Sequence, residues 1–151
     1  MGLLNRIEEL EKELLELKGQ VKEQQEFPQS GERYWYSNGG GMVNSCFWKS
    51  EQFDLNRYRI GNMFKTEKEA EFAVEKLKVE AELRKYSRPF ILGEENWYLN
   101  TLSRKDITIA YDYYSIRQGT VYFKSKDKVK EVIESVGEER IKKYIFGVEE
   151  R

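Results

Sequence analysis

The chain has 151 residues, 39% hydrophobic and 14% aromatic, enough for one compact domain with an appendage. Its 26 basic and 27 acidic residues leave a net charge of -1, which argues against a nucleic-acid footprint, a membrane-surface footprint and a nucleic-acid mimic. With no histidine and one cysteine, Cys46, the composition excludes serine–histidine–aspartate and cysteine–histidine catalysis, the usual cysteine/histidine zinc site and an intrachain disulfide.

The first element is a helix. Leu3, Ile7, Leu10, Leu14, Leu17 and Val21 are spaced 4, 3, 4, 3, 4, a heptad seam with Ile7, Leu14 and Val21 at a and the other three at d. The g and e positions fall on Arg6/Glu11 and Glu13/Lys18. These pairs attract in a parallel assembly, whereas an antiparallel one sets Glu13 near Glu13. The spacing therefore predicts a parallel coiled-coil oligomerisation helix over residues 1–26. Leu4 and Leu15 widen the apolar face, so trimers and larger assemblies stay open, as does an amphipathic helix packed on its own domain. Gly19 weakens the last heptad and Gln24 stands at the next d position, so the seam fades there. Seven glutamates face four basic residues in 1–27, so this segment carries -3 and the rest of the chain +2.

Residues 27–30 form a linker, with Pro28 disfavouring helix at Phe27. The first unit, 31–92, opens with a strand at Arg33–Ser37. Asn38-Gly39-Gly40-Gly41 is a turn signal, and Met42–Trp48 is the partner strand. Lys49–Asn56 reads as loop and Arg57–Lys65 as a third strand. Thr66 and Glu69 form a capping box ahead of a helix running to about Tyr86, with Ala70, Ala73, Val74, Leu77 and Ala81 on one stripe.

The second unit, 93–151, follows the same order. Strands are expected near Asn96–Asn100, Ile107–Tyr113 and Thr120–Lys124. A helix capped by Ser125 stops at Gly137, a short helix spans Glu138–Tyr144, and Ile145 and Phe146 dock as a plug. The units echo each other in sequence. Gly31-Glu32-Arg33-Tyr34-Trp35-Tyr36-Ser37-Asn38 and Gly93-Glu94-Glu95-Asn96-Trp97-Tyr98-Leu99-Asn100 both read G-E-x-x-W-Y-x-N, 62 residues apart. Phe64-Lys65-Thr66 returns as Phe123-Lys124-Ser125, 59 residues on, and the helical apolar positions match from there. Matches in the same order across a whole unit argue for internal duplication. The expected fold is α+β, a parallel coiled coil followed by a duplicated βββα unit.

Catalytic equipment and cofactor motifs are not evident. Asp54, Asp106 and Asp112 lie near apolar segments without a spacing that pairs them, and Cys46 reads as a small packed residue. The expectation is a protein that is not an enzyme and uses no cofactor or metal. Trp35 and Trp97 read as core. Tyr36, Arg57, Tyr58, Asn62, Tyr113, Tyr114 and Arg117 are the candidate binding residues. Tyrosine beside arginine and asparagine suits stacking a base and holding a phosphate, and equally a protein-binding hot spot. Alternation on the expected third strand sends Tyr58, Ile60 and Asn62 to one face and Arg57 and Arg59 to the other.

Arg57-Tyr58-Arg59-Ile60-Gly61-Asn62-Met63-Phe64-Lys65-Thr66 and Val136-Gly137-Glu138-Glu139-Arg140-Ile141-Lys142-Lys143-Tyr144, with the heptad helix and the W-Y strand, resemble a family of small proteins encoded by phages and prophages of Gram-positive bacteria. The triple glycine and Cys46 depart from its pattern. The resemblance implies a small accessory protein of the host cytoplasm, without catalysis, that counters host defence. It implies sequestration of a small nucleotide immune signal or, alternatively, inhibition of a host defence or nuclease complex by protein binding. A structural or regulatory role in phage assembly is the third reading. A homo-oligomer, no membrane partner and no nucleic-acid partner complete the expectation.

Overall fold

A computed structural model describes residues 2–24, 27–103 and 106–148. Residues 1, 25, 26, 104, 105 and 149–151, which belong to segments expected from the sequence, lie outside the described residues. The fold is a mixture of helices and two small antiparallel sheets.

Helix α1, Gly2–Gln24, carries the heptad pattern, and the described side chains of residues 2–21 are all exposed. Strands β1, Arg33–Ser37, and β2, Val43–Phe47, form the first hairpin, with Trp35 opposite Ser45. Its turn is built by Asn38. The Asn38 Oδ1 accepts the backbone N–H of Gly40 (2.9 Å) and Met42 (3.0 Å), and Gly41 takes φ 78°.

The loop expected at Lys49–Asn56 and the third strand expected at Arg57–Lys65 are not formed. Helix α2, Gln52–Arg59, occupies the middle of that stretch. Asp54 gathers the backbone N–H groups of Lys49 (3.0 Å) and Glu51 (3.2 Å) and so starts the helix, and Gly61 at φ 73° ends it. The expected alternation of Tyr58, Ile60 and Asn62 against Arg57 and Arg59 goes with the strand. What the third strand would have supplied to the free edge of β1 comes from two sources. Phe64 and Trp35 exchange a pair of 2.9 Å backbone hydrogen bonds, while the Asn62 side chain accepts from Ser37 N–H (2.8 Å) and donates to Ser37 C=O (2.7 Å).

Helix α3, Glu67–Lys85, begins as expected. The Thr66 hydroxyl accepts the Glu69 N–H (3.2 Å), and the Glu69 carboxylate reaches back to the N–H of Lys65 (3.1 Å). Ala70 and Val74 are buried in the first unit, but Leu77, expected on the buried stripe, is 58% exposed.

Strands β3, Asn96–Leu102, and β4, Asp106–Asp112, form the second hairpin. The strand expected at Thr120–Lys124 is reduced to isolated bridges, Trp97 with Phe123 and Arg88 with Tyr122. Helix α4, Lys126–Val136, is capped by the Ser125 hydroxyl on Lys128 N–H (3.1 Å), and α5, Glu138–Tyr144, follows Gly137 directly. Val79 and Leu83 of α3 join Phe123, Val129, Val132, Val136 and Ile141 in one buried core, with Ile145 and Phe146 packed against it as expected. Burial of each such side chain stabilises by roughly 1.5–3 kcal/mol. Trp35 and Trp97, expected in the core, are half-buried. The fully buried aromatics are their neighbours Tyr34 and Phe123. No helix among the described residues is long and apolar enough to cross a membrane.

Candidate functional site

The candidate residues fall into two groups, one on each hairpin. In the first, Tyr36 projects from β1 toward the last turn of α2. The Arg57 guanidinium lies 3.5 Å from the centre of the Tyr36 ring and 5.0 Å from that of Phe53, so it is held between two aromatic faces. It also donates to the Tyr34 hydroxyl (2.9 Å), which in turn donates to Asp54 Oδ1. Tyr34 and Asp54 are fully buried. Burial opposes ionisation of Asp54, but the hydrogen bonds from Tyr34, Lys49 N–H and Glu51 N–H outweigh it and hold the carboxyl below its ordinary range. Burial, and next the Asp54 carboxylate, push the Tyr34 phenol well above its own. The stable arrangement is thus an ionised aspartate, a protonated tyrosine and a charged arginine. Tyr58 is exposed and reaches this chain through Trp48, whose ring centre lies 6.3 Å from that of Tyr58 and 6.4 Å from that of Tyr34. Asn62 is engaged at both ends of its amide by Ser37, which makes it a pin for the β1 edge.

In the second group, Arg117 lies 5.0 Å over the ring of Tyr98 and its Nε donates to Asp112 (3.0 Å). Its backbone N–H donates to the Tyr122 hydroxyl (2.7 Å). Tyr36 and Tyr98 are the equivalent positions of the two W-Y motifs, so each hairpin sets an arginine over the same tyrosine. Tyr113 and Tyr114 continue a different feature. Trp97, Tyr111, Tyr113 and Tyr114 form a ladder with successive ring centres 4.7, 5.4 and 6.2 Å apart. Glu95 anchors it, accepting from Trp97 Nε1 (3.3 Å) and from the Tyr113 hydroxyl (3.4 Å). The ladder starts at the core, where Trp97 packs, and runs outward until Tyr114 is 75% exposed beside Ile116 at 71%.

Among the described residues, no hydrogen bond or ring contact joins the two groups, so the seven candidates do not make one site. Sequence reasoning missed Tyr34, Phe53, Tyr98 and Tyr111 as participants. The signal was present in the 60-residue spacing of Arg57 and Arg117 against the 62-residue spacing of Tyr36 and Tyr98. Cys46 is half-buried opposite Tyr34, with its Sγ donating to Phe47 C=O at 3.6 Å. No cluster of three or more metal-donor side chains occurs among the described residues.

No protein-family model, no curated protein and no solved structure matches the chain.

Proposed function

We propose that the protein is a non-enzymatic binding protein, assembled through α1, that presents the Trp97–Tyr111–Tyr113–Tyr114 ladder to a partner protein. The exposed ladder carries this reading. Aromatic side chains offer large rigid contact areas at small entropic cost, and they dominate interface energetics when a partner covers them. Placed beside the resemblance to phage accessory proteins, the partner is a host defence or nuclease complex in the host cytoplasm, and binding inhibits it. Assembly rests on the heptad seam, whose six apolar residues are all exposed along one helix and whose flanking charges complement a parallel second copy.

Sequestration of a small nucleotide signal is the second reading. The stacked arginine–tyrosine pairs at Tyr36–Arg57 and Tyr98–Arg117 favour it. It stands second because Arg57 already donates to Tyr34 and Arg117 to Asp112, so a phosphate must compete with partners in place. A structural role in phage assembly is a third reading, resting on the coil alone.

The chain also reads as two copies of one ancestral unit. Trp35 with Phe64 and Trp97 with Phe123 make the same backbone bridge, and Thr66 and Ser125 make the same helix cap.

The deciding experiment compares the intact chain with the double variant Tyr113→Ala/Tyr114→Ala in capture from host lysate, with denaturant midpoints measured alongside. Loss of a specific captured protein at an unchanged midpoint supports the partner surface. Equal capture by both proteins, together with a nucleotide that raises the melting temperature, moves the assignment to the second reading. A nucleotide at a hundred times its dissociation constant adds about 2.7 kcal/mol.

A further inference from the structure

The first unit has an open groove where the second has its core. A cavity of about 700 Å³ lies between the end of β1 and α3; its apolar wall includes Phe64, Ala73, Val74 and Leu77, Ser37 stands at its β1 end, and Lys76 and Glu80 flank it. Across the repeat Ser37, Phe64, Ala73, Val74 and Leu77 become Leu99, Phe123, Val132, Ile133 and Val136. All five belong to the second core or pack against it. Leu77 is 58% exposed while its counterpart Val136 is 3% exposed. The second unit is closed in part by the helix that precedes its G-E-x-x-W-Y-x-N strand, which is α3, through Val79 and Leu83, and in part by Ile141 of α5.

The helix that precedes the first such strand is α1. Stepping back the same 62 residues from Val79 and Leu83 arrives at Leu17 and Val21. The match extends along the helix, where Leu17-Lys18-Gly19-Gln20-Val21-Lys22 stands against Val79-Glu80-Ala81-Glu82-Leu83-Arg84. Both stretches carry two large aliphatics four apart, so each presents one apolar edge at helical spacing. The connectors agree as well. Six residues, 25–30, separate α1 from Gly31, and seven, 86–92, separate α3 from Gly93. The chain enters the first unit at the right corner, with the Phe27 ring 5.6 Å from the Lys65 ammonium at the start of α3.

We infer that the groove is the seat of the C-terminal half of α1 of the same chain, with Leu17 and Val21 filling it as Val79 and Leu83 fill the second core. The structure holds the released form, in which both are 56% exposed. Leu17 and Val21 are also the last d and a positions of the heptad seam. A seated helix therefore cannot pair there with another copy, and seating and oligomerisation compete for one apolar face. Assembly then opens the first unit, and dissociation closes it. This inference rests on the 62-residue correspondence and is independent of the partner surface on the second hairpin.

The test uses the full chain with Cys46→Ser and a new cysteine pair, Gln24→Cys and Lys76→Cys. The equivalent pair in the second unit, Tyr86 and Ser135, has its hydroxyls 3.3 Å apart. A short bismaleimide should bridge the two cysteines within one chain at low protein concentration. That bridge should be lost when Val21→Asp or Leu77→Asp is added, although neither substitution removes a bridged cysteine. A bridge that forms between chains overturns the intrachain seat and gives the groove to a second copy. No bridge, or one indifferent to both aspartates, overturns the seat altogether. Circular dichroism of each variant confirms that the body is folded.

Discussion

Tyr34→Phe is the substitution that tests the buried chain of Asp54, Tyr34 and Arg57. It removes one oxygen and keeps the ring, so packing around β1 is preserved. The Asp54 carboxylate loses its side-chain donor, and Arg57 loses the acceptor that fixes its guanidinium beside Tyr36. Hydrogen bonds to charged groups contribute about 1.5–3 kcal/mol, and a buried acceptor left without its donor adds a desolvation cost. The expected loss is therefore about 2 kcal/mol, roughly 4–8 °C in melting temperature for a domain of this size. The pH dependence gives a second check. The folded Asp54 carboxyl titrates below its unfolded value of about 3.9, so its stabilisation is present above that pH and is lost as pH falls through the folded value. Tyr34→Phe removes part of that depression. The stability gap between the two proteins should thus be widest near neutrality and close in acid. Urea midpoints measured from pH 7 downward report both quantities. A gap of less than about 0.5 kcal/mol at neutrality, or one that stays constant into acid, refutes the reasoning.

Thr66→Ala should cost about 0.5–2 kcal/mol through the lost cap, read as a shift in denaturant midpoint. Gly137→Ala places a side chain at φ 100° and should cost about 1–3 kcal/mol, again by denaturation. Removal of residues 1–26 should reduce the solution mass in light scattering while the far-ultraviolet signature of the sheets persists, and an unchanged mass would give assembly to the body. Arg57→Ala should lower stability because the guanidinium is sandwiched and hydrogen-bonded, whereas Arg117→Ala, on a solvent-exposed pair, should leave the midpoint in place.

Elements specified by local chemistry were legible. The Arg33–Ser37 strand announced itself by its aromatics, the Asn38–Gly41 turn by its glycines, and the helices at Thr66 and Ser125 by their caps. Helix α2 was not, for two reasons. Tyr58 and Ile60 have strand propensity, and the helix is started by Asp54, whose acceptance of Lys49 and Glu51 N–H groups depends on its burial under Tyr34. That is a tertiary cause, invisible to a local window. The missing third strand has a similar origin, since an asparagine side chain replaced backbone at Ser37. Leu77 shows the limit of periodicity. The pattern places it on the apolar stripe, but burial needs a covering element, and among the described residues none covers it, so it stays 58% exposed. The tyrosine–arginine pairing was half legible. The residue types drew attention to Arg57 and Arg117, but their ring partners emerge only when both hairpins are set side by side.

One glycine separates the helix that follows the first hairpin from the helices that follow the second. Helix α3 spans 19 residues, and the 59-residue correspondence maps it onto Lys126–Tyr144, which is α4 and α5 taken together. Lys78 stands in the middle of α3, and 59 residues on Gly137 stands between α4 and α5 at φ 100°. A straight α3 serves two cores, with Ala70 and Val74 under the first hairpin and Val79 and Leu83 in the second. The break at Gly137 instead turns α5 back, so that Ile141 enters the second core and Arg140 reaches Glu82 of α3 (3.1 Å). Because Val79 and Leu83 of α3 are spent on the second core, no described residue after α3 covers Leu77, which stays 58% exposed. In the seat proposed above, the covering element is α1, which comes before α3, and Leu17 and Val21 belong to the same apolar face that the proposed coiled coil would use.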